Sequence, residues 1–253
     1  MSESSIRRAA LQLRIDRLSR PGRAAASDGV AMGHAGIDRM LRGGLARGRL
    51  HEIVAEAAED AACGAGFAAM CARRFGGTLI WLRVQQRDHR LYPHGLREIG
   101  IDPHTVLLIS APDPPAVLRA ADEVMRCDAV GVAVIELWRE PHRVDLTASR
   151  RLMLAAEASG ATALLLRVGA MPVPGAAQTR WSVRAAPSLP LTAGAPGRPA
   201  LDIELLRQRG GMAGGRWQVE WDRDAGCFRT PLSGAVAALP VGRPLDGGIR
   251  RVG

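Results

Sequence analysis

Between Arg49 and about Pro187, short apolar runs alternate with longer amphipathic ones, and this alternation restricts the chain to few architectures. Segments 50–55, 78–84, 105–110, 130–137, 161–168 and 180–185 have the length and apolar continuity of strands covered on both faces. Segments 60–75, 94–99, 114–126 and 147–158 between them read as helices. Asp113 ahead of Pro114 and Pro115 supplies an N-cap and a first turn that tolerates proline, and Gly160 closes the last of these helices. Strands alternating with helices predict an α/β fold, a mostly parallel sheet flanked by helices. At 253 residues the chain holds one such domain of ordinary size plus extra segments.

The extra segments lie at the two ends. Residues 1–30 read as an amphipathic helical arm and linker. Ile6, Ala10 and Leu13 form one stripe of the helix at 4–19, and Leu11, Ile15 and Leu18 form another, so the arm has two apolar neighbours to satisfy. Pro21-Gly22 ends the helix. The core domain spans 31–187. Residues 188–253 comprise a Pro/Gly/Ala linker, a β-hairpin built from 201–211 and 216–222 around a glycine-rich turn, and a basic tail.

The block Gly36–Ile53 opens the core as RecA-type ATP-binding domains open. In such domains the first strand leads into G-x-x-x-x-G-K-[ST], whose backbone N–H groups wrap the phosphates while the lysine reaches the terminal ones and the hydroxyl holds magnesium. This chain contains no lysine; all 34 Lys+Arg positions are Arg. Read without gaps, Ala55 and Asp60 fall at the two glycines, and Ala61 and Ala62 at the Lys and Ser/Thr. Sliding the register to Gly64 puts Ala65 at the lysine position. Glu56, Glu59 and Asp60 would set three carboxylates where a polyphosphate should lie. The sequence therefore predicts a degenerate phosphate loop with no bound cofactor, in which Asp60 is simply the N-cap of the next helix. Glu136 ends the strand 130–137, where a nucleotide hydrolase places a magnesium-binding acid. Without a phosphate cradle it is expected to pair with Arg139, Arg143 or Arg150. At the end of the second strand, Gln85 and Gln86 stand where a water-polarising glutamate would be needed, and neither can act as a base.

Arginines outnumber Asp+Glu by 34 to 25, a net charge of +9 that points to polyanionic partners such as DNA. The cations available for nucleic-acid contact are Arg7, Arg8 and Arg14 in the arm, Arg180 beside the Gly/Pro-rich loop 169–179, and Arg250 and Arg251 in the tail. That loop carries no cation of its own and reads as an exposed connection. Aromatic residues are only 4%, which leaves little for a base-stacking groove. Cys63, Cys71, Cys127 and Cys227 form no C-x-x-C pair and read as buried free thiols of a cytoplasmic protein, with no metal site. The N-terminus lacks a signal-peptide pattern, and no run of about 18 uncharged apolar residues suggests a membrane span.

Five segments together resemble the ImuA family of RecA-like proteins encoded with error-prone polymerase components. They are the arginine-rich arm; Gly36–Ile53 without a phosphate loop after it; Ala65-Gly66-Phe67; Val144-Asp145-Leu146-Thr147-Ala148-Ser149-Arg150-Arg151-Leu152; and Trp217-Gln218-Val219-Glu220-Trp221-Asp222 followed by Cys227-Phe228. The resemblance implies a non-catalytic adaptor of damage-induced (SOS) mutagenesis and translesion DNA synthesis. Its implied partners are ImuB, a Y-family polymerase relative, and an error-prone C-family DNA polymerase. Ile6, Leu11, Leu13, Ile15 and Leu18 are then expected to dock the arm on a second copy or on RecA. Trp217 and Trp221 of the hairpin, with the tail, are expected to meet ImuB. SulA-type cell-division inhibitors are also degenerate RecA-like proteins and form the alternative reading.

Overall fold

The computed structural model describes residues 29–85, 91–139, 146–190, 195 and 197–231. The arm at 4–19 and the tail beyond 231 lie outside these residues, as do Gln86 and Arg143. A nine-stranded sheet runs through the molecule in the order β11-β10-β9-β8-β3-β7-β6-β4-β5. Its strands are β3 (Leu50–Ala55), β4 (Leu79–Val84), β5 (Val106–Ala111), β6 (Val132–Trp138), β7 (Thr162–Val168), β8 (Thr179–Ala185), β9 (Ala200–Gln208), β10 (Arg216–Asp222) and β11 (Cys227–Arg229). From β5 to β8 all neighbours are parallel, and from β8 to β11 all are antiparallel. The late hairpin thus extends the sheet through β8 and does not stand apart from it.

Helices cover both faces. The helices α2 (Ala61–Phe75) and α3 (Pro93–Ile99) pack on one face, where Phe67, Trp81, Leu96, Ile99 and Trp181 share a core. The helices α4 (Pro114–Val124) and α5 (Leu146–Ser159) pack on the other, over Leu82, Ile135 and Leu165. Asp113 caps α4 as expected, its Oδ1 accepting the Ala116 N–H at 2.7 Å.

Before β3 the chain makes a small preface of its own. The strands β1 (Gly29–Val30) and β2 (Leu45–Ala46) pair antiparallel around α1 (Ala35–Met40). The Asp38 carboxylate holds its entry by accepting from the backbone N–H of Met32 at 2.6 Å and Gly33 at 3.0 Å. Gly44 is obligatory here: its φ is +119°, and a Cβ would lie 2.0 Å from the Val30 carbonyl oxygen. An aromatic cluster then ties α2 to the antiparallel strands. Phe67 lies 5.9 Å from Trp181 and 5.4 Å from Phe228, and Trp221 meets Phe228 edge-on at 5.0 Å.

Candidate functional site

All six residues of β3 are buried, and the chain leaves its carboxyl end through Glu56 and Ala57. A single 3-10 turn, Ala58–Asp60, leads directly into α2 at Ala61. In the segment Ala55–Gly66 no side chain is a cation or a hydroxyl, and the first cation of α2 is Arg73 near its far end. Gly64 serves packing: a Cβ there would come within 2.9 Å of Leu166 Cδ1 and 3.1 Å of Ala55 Cβ, so the glycine lets α2 sit tightly on β3 and β7.

The expected capping role of Asp60 is corrected. It stands at the N-cap position but caps nothing, because its φ and ψ of −82° and 3° continue the 3-10 turn instead of taking the extended geometry a cap needs. Its Oδ1 accepts the Ala185 N–H at 3.0 Å, stitching the start of α2 to the end of β8. Glu56 lies 3.7 Å from the half-exposed Arg184, and Glu59 is exposed. Carboxylates therefore surround the helix N-terminus whose dipole would otherwise favour a phosphate.

Glu136 also differs from expectation. Its Oε2 accepts the Trp81 Nε1–H at 2.8 Å and its Oε1 the Trp138 Nε1–H at 2.7 Å, with Arg83 Nη2 at 3.8 Å. Arg83 is its direct neighbour in the β4–β6 register, which sets both side chains on the same face; Arg139 and Arg150 are exposed elsewhere. Both oxygens of this buried acid thus face indole donors. Gln85 is exposed, and its backbone N–H donates to the Ala111 carbonyl at 2.7 Å.

On the opposite face lies a buried ionic cluster. Glu52 of β3 accepts from Arg167 Nη1 at 3.1 Å and from Arg180 Nε at 2.6 Å, and all three side chains are at most 10% exposed. Arg167 Nη2 is buried without a partner. Arg180 is therefore no surface cation for nucleic acid; its other donor goes to the Val173 carbonyl. That bond fastens the loop 169–178 over the cluster. Arg207 donates to the Gly175 carbonyl, and the Ala176 N–H donates to Ser149 Oγ at 3.1 Å. The loop is consequently half-buried, with Met171 and Pro174 its exposed points.

Trp221 is corrected as a partner contact as well. It is 1% exposed and its Nε1–H donates to the Ile99 carbonyl at 3.2 Å, because β10 turns Val219 and Trp221 into the core. Trp217, on the same side, is half-buried against Trp181 at 6.2 Å. Ile6, Leu11, Leu13, Ile15, Leu18, Arg7, Arg8, Arg14, Arg250 and Arg251 lie outside the described residues. The four cysteines are free, with Cys71 fully buried and the others partly so. Among the described residues no cluster of three or more His, Cys, Asp or Glu side chains could hold a metal, and no helix is long and apolar enough to cross a membrane.

A buried histidine escaped sequence reasoning. His51 of β3 has Nε2 2.8 Å from the Ala46 carbonyl oxygen, to which it donates, and Nδ1 2.8 Å from Thr179 Oγ1, which in turn accepts from Trp181 Nε1 at 2.9 Å. Burial pushes its pKa down to about 4, so the ring is neutral in the fold.

The chain's similarities to known proteins fit this geometry. No family profile matches it. Protein ImuA of Caulobacter vibrioides (strain NA1000 / CB15N) is 32% identical over 204 residues, covering 74% of this chain and 81% of that protein. RecA of Gluconacetobacter polyoxogenes is 36% identical over 111 residues, 43% of this chain and 31% of that protein. The crystal structure of the RadB recombinase matches with a TM-score of 0.55 at 14% identity, over 79% of this chain and 99% of that one. The last likeness makes the fold RecA-like.

Proposed function

Because the chain belongs to the ImuA family, we propose that it is a RecA-like adaptor of damage-induced mutagenesis, one that binds partners without turning over ATP. One observation carries this reading. The turn from β3 into α2 offers a triphosphate no cation and no hydroxyl side chain, and Asp60 in that turn is hydrogen-bonded to the β8 backbone. A polyphosphate there would meet carboxylates in place of the positive groups that phosphoryl transfer requires. Glu136 supports the same reading, since its side chain is buried and each of its oxygens already accepts an indole N–H, from Trp81 and from Trp138.

The partners proposed are ImuB and an error-prone C-family polymerase, brought together for translesion synthesis. The basic tail beyond residue 231 is the surface assigned to ImuB, since Trp221 is committed to the core. The arm, through Ile6, Leu11, Leu13, Ile15 and Leu18, is assigned to a second copy or to RecA.

ATP turnover by the purified chain with magnesium is expected to stay at background and to be insensitive to Glu136→Ala. Hydrolysis abolished by that substitution would refute the reading. Tagged chain from DNA-damaged cells should co-purify with ImuB and the polymerase, and should lose ImuB when residues 232–253 are removed. Capture of the division GTPase in their place would favour the SulA-like alternative. Leu11→Asp combined with Leu18→Asp should weaken self-association or RecA binding in gel filtration and pull-down.

A further inference from the structure

The helices α4 and α5 each follow a parallel strand and run back across the same face of the sheet, so their positive N-terminal ends lie on one side of the molecule. Between them is a groove of about 310 Å³. Pro115 and Leu118 of α4 and Ala148 of α5 give it an apolar lining, and Arg119 and Arg151 stand on opposite walls. Both arginines are exposed, and no ion pair among the described residues engages either of them. The acid that lines the groove, Asp122, is already paired with Arg126 at 2.8 Å. Leu154, 50% exposed, continues the row of Arg151 one turn further along α5.

We propose that this groove seats a segment of a partner protein in which an apolar side chain is flanked by carboxylates. The apolar lining takes the side chain, while Arg119 and Arg151 take the acids from either wall. Charge selects the occupant. Residues 1–28 carry six Arg against three acids and residues 232–253 three Arg against one, so neither end of this chain complements the groove. A second copy carries the same net +9, which repels at long range, and two of the three carboxylates at its α2 N-terminus, Glu56 and Asp60, are already engaged by Arg184 and the Ala185 N–H. A nucleic-acid backbone would answer the arginines but has no side chain for the apolar lining, and it would meet Asp122.

This site gives the adaptor reading an acidic client without depending on the ATPase result, so either can fail alone. The test uses the full chain against a displayed library of random 12-residue peptides, with duplex and single-stranded DNA as parallel probes. Enriched peptides should carry an apolar residue bracketed by Asp or Glu, and should bind Arg119→Glu/Arg151→Glu at least about tenfold more weakly. The remote reversal Arg223→Glu should leave their binding unchanged. The proposal is overturned by peptides without acidic bias, by binding indifferent to the double reversal, or by a reversal that weakens only DNA binding. It is equally overturned if removing residues 1–28 or 232–253 unmasks the site, since its occupant would then be the chain itself.

Discussion

Acidification should destabilise this fold through His51 before Asp202 and Asp222 titrate. In the unfolded chain His51 has its ordinary pKa of 6.5, and in the fold burial lowers it to about 4. The unfolded state therefore binds the proton more readily. The stability that the neutral ring contributes is complete above pH 6.5 and is lost as pH falls towards 4. The whole difference of about 2.5 pKa units corresponds to about 3 kcal/mol, of which about 2.5 kcal/mol is lost between pH 7.5 and 4.5. For a domain of this size that is a fall in Tm of about 5–10 °C. Asp202 and Asp222 are held below the ordinary carboxylate pKa, the first chiefly by its hydrogen bond from Arg216 and the second by the Ala225 N–H, so their losses come at lower pH. The control is His51→Gln, whose amide can donate to the Ala46 carbonyl and accept from Thr179 but cannot titrate. Urea denaturation of both proteins at half-unit steps from pH 7.5 to 4.5 gives the difference in slope. His34, also lowered by burial, titrates in both and cancels. Identical slopes in wild type and variant would refute the assignment of a neutral, buried His51.

Glu52→Gln should cost about 3–5 kcal/mol in chemical denaturation, because it leaves Arg167 and Arg180 buried without a counter-charge, and protease cutting in the loop 169–178 should rise with it. Trp221→Ala should cost about 3–5 kcal/mol in the same assay, a loss that a surface contact would not produce. Gly44→Ala should cost about 1–3 kcal/mol and speed hydrogen exchange at Val30 and Leu45, whose strands the added methyl group would force apart.

The parallel strands were legible because helices cover both their faces, which makes their sequences continuously apolar, and β3 has the bounds expected for 50–55. The preface of β1, α1 and β2 was not, since elements of two and six residues have no periodicity and owe their shape to Asp38 and Gly44. The lack of cationic and hydroxyl side chains in the turn between β3 and α2 could be read from residue types alone. The arrangement around it could not: Glu52 finds its arginines 115 and 128 positions away, and Glu136 finds Arg83 through strand register. For Trp221 the alternation along 216–222 fits a hairpin on the sheet edge and one folded on another chain equally, and only the pairing of β10 with β9 decides between them. Trp217, Val219 and Trp221 alternate onto one side of β10, the pattern of a strand facing a core.

The position of β3 has a consequence for biosynthesis. It is made early, yet its two neighbours in the sheet are β7 and β8, and His51 pairs with Thr179. At about 5–20 residues per second, a strand buried at all six positions must wait several seconds on the ribosome before either flank exists. Such non-local pairing folds slowly and leaves an apolar edge exposed meanwhile. The supply of this protein after a burst of synthesis is thus expected to depend on chaperone capacity as much as on transcription.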